Sequence, residues 1–262
     1  MLFVGYLVLG AFAGMLAGLF GIGGGLIIVP VLVLSFHAQG VAPEIITHLA
    51  LGTSLPTMIF TGFSSLRAHQ EAGAVDWGMI RRLGAGMLVG AWLGGMTANL
   101  LSASTLNIII GCFAWTMALQ MGLNLKPKAE RQMPGPVGTG IAGTVIGWLS
   151  ALFGIGGGSM TVPYLSWNSV PMRNAVAASA ACSMPIALAG SLSYLYAGWG
   201  HADLPEWSVG YIYLPALLGI VLTSTQFARV GAKLAHRLSP KRLKQAFALL
   251  MLVVGAKFML FS

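Results

Sequence analysis

The residues whose types and spacing could do chemistry sit in two glycine clusters. Leu19-Phe20-Gly21-Ile22-Gly23-Gly24-Gly25 is followed by Val29-Pro30. The same words return 133 positions later as Leu152-Phe153-Gly154-Ile155-Gly156-Gly157-Gly158, followed by Val162-Pro163. Glycine costs about 1 kcal/mol per helix position relative to alanine, so each cluster predicts a broken helix. At such a break the freed N–H groups and the positive end of the next half-helix favour an anion. Without side chains, a ligand can approach the backbone. Gly21, Gly23, Gly24 and Gly25, with Gly154, Gly156, Gly157, Gly158 and Ser159, therefore form the first substrate-binding set. Small residues also let membrane helices pack closely, which is the structural alternative. A pair of breaks in corresponding places favours binding. A nucleotide site does not fit, because neither copy follows a strand or has GxGxxG spacing.

Hydroxyls beside proline come next. Thr53 and Ser54 precede Pro56, and Ser179 stands in the corresponding stretch before Ser183 and Pro185. They can satisfy carbonyls freed by the kink or donate to a ligand, and both uses stay open. All six carboxylates (Glu44, Glu71, Asp76, Glu130, Asp203 and Glu206) fall in loops or at helix ends. A proton or cation carrier usually places an acid inside a span despite the cost. His48, near a helix start, reads as structural, and Arg67 and Arg173 read as anchors at helix ends. Trp77, Trp167, Trp199 and Trp207 read as belt residues at the membrane surfaces. Tyr194 and Tyr196 offer no chemistry beyond core or interface packing. HExxH, GxSxG and CxxC are all missing, so the reading is not an enzyme, with no cofactor and no metal. Cys112 and Cys182 each lie in an apolar segment and read as packing residues.

The elements that must hold these groups are membrane helices. Apolar residues make up 56% of the chain and charged residues 8%, against about 25% charged in soluble domains. Lipid accepts only helices or closed barrels, and the period-2 alternation of barrel strands is absent. The net charge of +8 is read as basic cytoplasmic loops rather than as a nucleic-acid surface. Residues 1–30 carry no basic n-region and no cleavage site, so they read as retained structure.

The duplication covers the chain. Ten of fifteen positions agree between Gly18–Leu32 and Ala151–Leu165, and Gly73-Ala-Val-Asp76 is echoed by Gly200-His-Ala-Asp203. The expected units are a first repeat over 1–125, a cytoplasmic linker over 126–136 and a second repeat over 137–262. Each repeat has four apolar segments, Leu2–Phe36, Ile45–Leu66, Ile80–Leu101 and Thr105–Leu123, then Val137–Trp167, Ala175–Tyr196, Val209–Ala232 and Leu243–Phe261. Eight plain crossings would put the six basic residues of Arg229–Lys244 outside. If both glycine segments enter and leave on one side, thirteen of the fourteen Lys and Arg lie inside. The fold expected is thus all-α and polytopic, with two inverted repeats, each a broken or re-entrant helical hairpin plus three transmembrane helices.

The duplicated LFGIGGGxxxVPxL, Thr53-Ser54, Gly73-Ala-Val-Asp76-Trp77 and Pro185-Ile-Ala-Leu-Ala-Gly190 resemble the TauE/SafE sulfite-exporter family along essentially the whole chain. One departure is Ala178-Ser179, where the family commonly has Thr-Ser. The resemblance implies a prokaryotic inner-membrane permease for sulfur-containing or other small organic anions such as sulfite or sulfoacetate. The residues favour an anion too, held between the two breaks and exported by alternating access. Import of a related anion and a non-transporting scaffold subunit are the alternatives. The expected partners are the small anion and the bilayer, with no nucleic acid. The stripe Gly84, Gly86, Gly90 and Gly94 offers a face for close packing within the monomer, or between copies as a homo-oligomer.

Overall fold

The computed structural model describes residues 2–20, 25–71, 73, 75–123, 132–235 and 240–260. Gly21, Gly23 and Gly24, and the linker positions Lys126–Arg131, lie outside the described residues. Of the two apolar segments expected to be broken, the second is two helices joined by a turn, and the first has a described helix on either side of 21–24. In the first these are α1 (Leu2–Phe20) and α2 (Gly25–Ala38), and in its counterpart α6 (Pro136–Leu152) and α7 (Gly158–Trp167). Between them run α3 (Pro43–Glu71), α4 (Trp77–Leu100) and α5 (Ala103–Gly122). After α7 come α8 (Met172–Ala197), the short strands β1 (Ser208–Val209) and β2 (Ile212–Tyr213), then α9 (Leu214–Ala235) and α10 (Pro240–Leu260).

The hydrophobic effect cannot sort inside from outside here, so both faces of many helices are apolar. Leu88, Val89, Trp92 and Leu93 of α4 point outward, while Leu83 and Met87 are fully buried. Among the described residues, α3, α5 and α8 are long and apolar enough to cross a membrane. The ten residues of α7 span about 15 Å as a helix, half of the roughly 30 Å hydrocarbon core. Trp77, Trp167, Trp199 and Trp207 are all exposed, as belt residues must be. Cys112 is exposed, Cys182 is buried, and both are free thiols.

What replaces apolar segregation is close backbone packing. The glycine stripe is used within the chain: α4 lies against α6 so closely that β-carbons on Gly86 and Gly90 would run into the Gly140 and Thr144 carbonyls. Gly143 and Gly147 of α6 are equally hemmed in by the Leu83 and Met87 carbonyls. Trp148 Nε1 then donates across the seam to Thr97 Oγ1 at 3.1 Å. A second seam joins α1 to α9, with Gly10 and Gly14 against Ile220 and Ser224. Further contacts join α3 to α8 and α5 to α10. Exchanging each element of the first half with its counterpart maps α1–α9 onto α6–α4 and returns the other two pairs to themselves.

One element differs from expectation. Val209 was expected to begin a helix, but Ser208–Tyr213 is an antiparallel hairpin pairing Ser208 with Tyr213 and Val209 with Ile212. Trp207 (φ 68°) and Gly210 (φ 55°) both take the left-handed conformation, which a helix start does not allow. A side chain at 210 would meet the Leu195 carbonyl, so glycine is also needed for close approach.

Candidate functional site

The second break has a built geometry. Residues Ala151–Gly157 are all buried. Phe153 N–H returns to the Leu149 carbonyl, and Ile155 N–H bonds the Ser150 carbonyl at 2.9 Å, which closes the end of α6. Gly154 then turns the chain at φ 62°, a conformation that L side chains rarely adopt. Ahead lies the N-terminus of α7. The Gly157 carbonyl accepts from Thr161 N–H at 2.7 Å, and no side chain caps the helix. Among the described residues, the N–H groups of Gly156, Gly158 and Ser159 have no acceptor. Buried donors are rarely left in that state.

Three hydroxyls of α7 share the condition. Ser159 Oγ, Thr161 Oγ1 and Tyr164 OH are buried and have no hydrogen-bond partner among the described residues. Thr161 is fully buried, and its Oγ1 would stand 2.9 Å from a β-carbon on Gly157, which places it beside the uncapped end. A threonine inside a helix ordinarily bonds back to its own carbonyls. Thr161 does not.

The first half meets this break directly. A β-carbon on Gly25, the first residue of α2, would lie 2.5 Å from the Gly154 carbonyl oxygen and 2.8 Å from Ile155 Cα. The described start of α2 and the N-terminus of α7 therefore lie at one buried place, where the dipole of α7 adds positive potential. No carboxylate opposes it: the described acids are Glu44 and Glu71 in end turns of α3, Asp76 capping α4, and Asp203 and Glu206 before β1.

The hydroxyls beside the prolines act mainly on the backbone. Ser54 Oγ lies 2.8 Å from the Leu51 carbonyl and 3.0 Å from the Gly154 carbonyl, so α3 clamps the break. Thr53 Oγ1 accepts from Tyr213 N–H at 3.0 Å and ties β2 to α3. Ser179 is buried on α8, but Ser183, one turn further on, is the residue that faces Gly156. Replacing Ser54 with alanine should cost about 1 kcal/mol, since one buried hydrogen bond is lost. A thermal melt of the purified variant measures it, and an unchanged midpoint would remove Ser54 from the clamp.

Sequence reasoning passed over several contributors. Tyr194, read as unremarkable, is fully buried, and its hydroxyl donates to the Ala151 carbonyl at 3.2 Å. Met58 packs against Gly25 and Gly156. Thr161 sits at the fourth position after Gly157, and a threonine there in only one copy (Ile28 is its counterpart) was the available signal. His48 Nε2 lies 3.0 Å from the Ala98 carbonyl and 3.2 Å from that of Leu101, which ties the start of α3 to the end of α4. Arg67 pairs with Glu71 on the surface at 3.2 Å.

A buried helix break inside an apolar helical bundle points to the class of helical membrane transporters. Residues 6–258 match the family profile described as Sulfite exporter TauE/SafE. The chain belongs to that family. A probable membrane transporter protein of Haemophilus influenzae is 37% identical over 255 residues, covering 97% of each chain. Probable membrane transporter proteins of Bacillus subtilis (28% identical; 98% of this chain and 97% of that one) and Methanocaldococcus jannaschii (27%; 95% and 92%) are also similar. No solved structure matches.

Proposed function

We infer that the protein is a secondary transporter, working as an exporter, of small sulfur-containing anions such as sulfite or sulfoacetate. The observation that carries this reading is the buried, uncapped N-terminus of α7 with the described start of α2 against it, where the N–H groups of Gly156, Gly158 and Ser159 and the Thr161 hydroxyl have no partner among the described residues. The N–H groups of Gly156–Ser159 and the hydroxyls of Ser159 and Thr161 hold the oxyanion. Gly21, Gly23 and Gly24 lead into α2 as the matching half of the site. Thr53, Ser54 and Tyr194 position the backbone.

Each glycine segment is the tip of a re-entrant hairpin, and the two repeats are inverted about a shared midplane site. The shortness of α7, the exchange-related packing and the loop charges support this arrangement. The basic loops face the cytoplasm of a prokaryotic inner membrane, in keeping with relatives from two bacteria and an archaeon. With no acid in the middle of a described helix, transport draws on the anion gradient and on the membrane potential. An interior-negative potential expels a monovalent anion at about 2.3 kcal/mol per 100 mV.

A thermal-shift series tests the site. Sulfite and sulfoacetate should raise the unfolding midpoint of purified protein, by about 2.7 kcal/mol in stability at a concentration 100 times Kd. Sodium and potassium at matched ionic strength should not. Indifference to every small oxyanion would leave the scaffold alternative standing instead.

A further inference from the structure

The two hairpin mouths, where the outer ends of each pair of half-helices lie, are built differently. In the offset that superposes the two breaks, Tyr6 corresponds to Thr139 and Ser35 to Asn168. On the partner helices, Tyr213 precedes the first residue of α9 as Asp76 precedes that of α4. Gly219 is the sixth residue of α9 as Arg82 is of α4. The first mouth is plugged. Tyr6 packs edge-on to Tyr213 at 5.9 Å and against Gly219, and Phe36 meets Tyr213 at 5.7 Å. Gln39 Nε2 donates to Tyr6 OH and approaches Ser35 Oγ at 2.9 Å.

The second mouth is a cavity of about 460 Å³, lined among others by Asp76, Arg82, Thr139, Asn168, Ser169 and Asn174. Its aromatic counterparts have become short and polar, and its glycine counterpart has become an arginine. Asp76 is engaged: its Oδ1 accepts from Gly78 N–H at 2.9 Å and Met79 N–H at 3.1 Å, capping α4. Thr139 and Asn168 are turned onto carbonyls, of Pro134 at 3.0 Å and Tyr164 at 2.8 Å. Arg82 has no carboxylate partner among the described residues. The helices that start at this mouth, α6 and α8, also lack side-chain caps, which adds to the positive potential from Arg82.

We propose that this cavity is a second anion site, a vestibule in which a small soluble oxyanion docks on the Arg82 guanidinium with the Asn174 amide as a further donor. Sulfonate, sulfite, sulfate and phosphate share the chemistry it recognises. The inference rests on the proposed function only for the identity of the transported anion. Its floor is the C-terminal end of α7, held by Asn168, so the vestibule lies one short helix away from the buried break.

Accessibility labelling tests it. Val170, which also lines the cavity, is replaced by cysteine in a Cys112→Ser background; Cys182 is fully buried and does not compete. Purified protein in neutral maltoside micelles is treated with sulfonatoethyl or trimethylammonioethyl methanethiosulfonate, each rate normalised to that of a small thiol in solution. With Arg82 and the uncapped helix ends setting the potential, and Asp76 held by the start of α4, the cavity should favour the anionic reagent by about tenfold or more. Arg82→Gln should bring the ratio close to one, Arg82→Lys should keep most of it, and millimolar sulfoacetate or sulfate should protect the cysteine. A ratio that ignores Arg82→Gln, or that favours the cationic reagent, overturns the proposal. Protection by added phosphatidylglycerol but not by sulfoacetate or sulfate also overturns it, and assigns the cavity to a lipid headgroup. Labelling needs no transport, so a failed thermal shift at the break leaves this result independent.

Discussion

Thr161→Val is expected to lower transport by at least about tenfold while making the protein more stable, because a hydrogen bond to a charged group contributes about 1.5–3 kcal/mol. Valine keeps the shape and removes only the hydroxyl. In the folded protein that hydroxyl is fully buried and has no partner among the described residues, so its burial is a cost without a return. Removing it should raise stability by about 1 kcal/mol in the absence of ligand. When an oxyanion occupies the uncapped end of α7, the same hydroxyl becomes a donor, and the variant loses that bond. Opposite signs for stability and transport separate a ligand contact from a structural one. Flux in proteoliposomes and a melt of the ligand-free protein provide the two readings. Unchanged flux would take Thr161 out of the site, and a lower melting point would show that its hydroxyl holds the fold together.

Gly90→Ala should destabilise the protein by about 3 kcal/mol, at the upper end of what overpacking usually costs. The added methyl meets the Thr144 carbonyl carbon at 2.7 Å and the Trp148 nitrogen at 2.8 Å, and backbone cannot rotate out of the way as a side chain can. The seam would have to separate, and with it the Trp148–Thr97 bond. Gly140→Ala is the control on the facing helix. Nothing lies within 4 Å of its β-carbon, so it should gain up to about 1 kcal/mol from helix propensity. Melting both variants in the same detergent decides the matter. Similar losses at 90 and 140 would mean that glycine content matters here and the seam does not.

Much of this was legible beforehand, for identifiable reasons. The break at 153–157 was visible because glycine and proline act locally, and its duplicate in the first half strengthened the signal. Helix ends agreed with the apolar segments within a few residues, since lipid leaves long apolar runs few other options. The hairpin at Ser208–Tyr213 was hidden because Val209, Tyr211, Ile212 and Tyr213 extend the apolar run of α9 without a gap. Only Gly210 and the preceding Pro205 hinted at a turn. The site was half legible. Its glycines could be named, but which hydroxyls stay unbonded is a tertiary fact. Ser54 looked as good a donor as Thr161, until the fold set its oxygen 3.0 Å from the Gly154 carbonyl. Tyr194 was invisible for the same reason, since its partner is 43 residues away.

The exchanged packing of the halves bears on how the chain is made. A polypeptide leaves the ribosome from its N-terminus, and early segments ordinarily settle against early neighbours. Here α1 finds its main partner in α9, which begins at Leu214, so α1 is synthesised long before the surface it needs. Until then Gly10 and Gly14 present an unsealed groove to lipid or to the insertion machinery. The counterpart helix α6 is under no such delay, because α4 has already been made when α6 emerges. Biogenesis is therefore expected to be lopsided, although the α1–α9 and α4–α6 seams correspond in the finished molecule, and α1 is locked late.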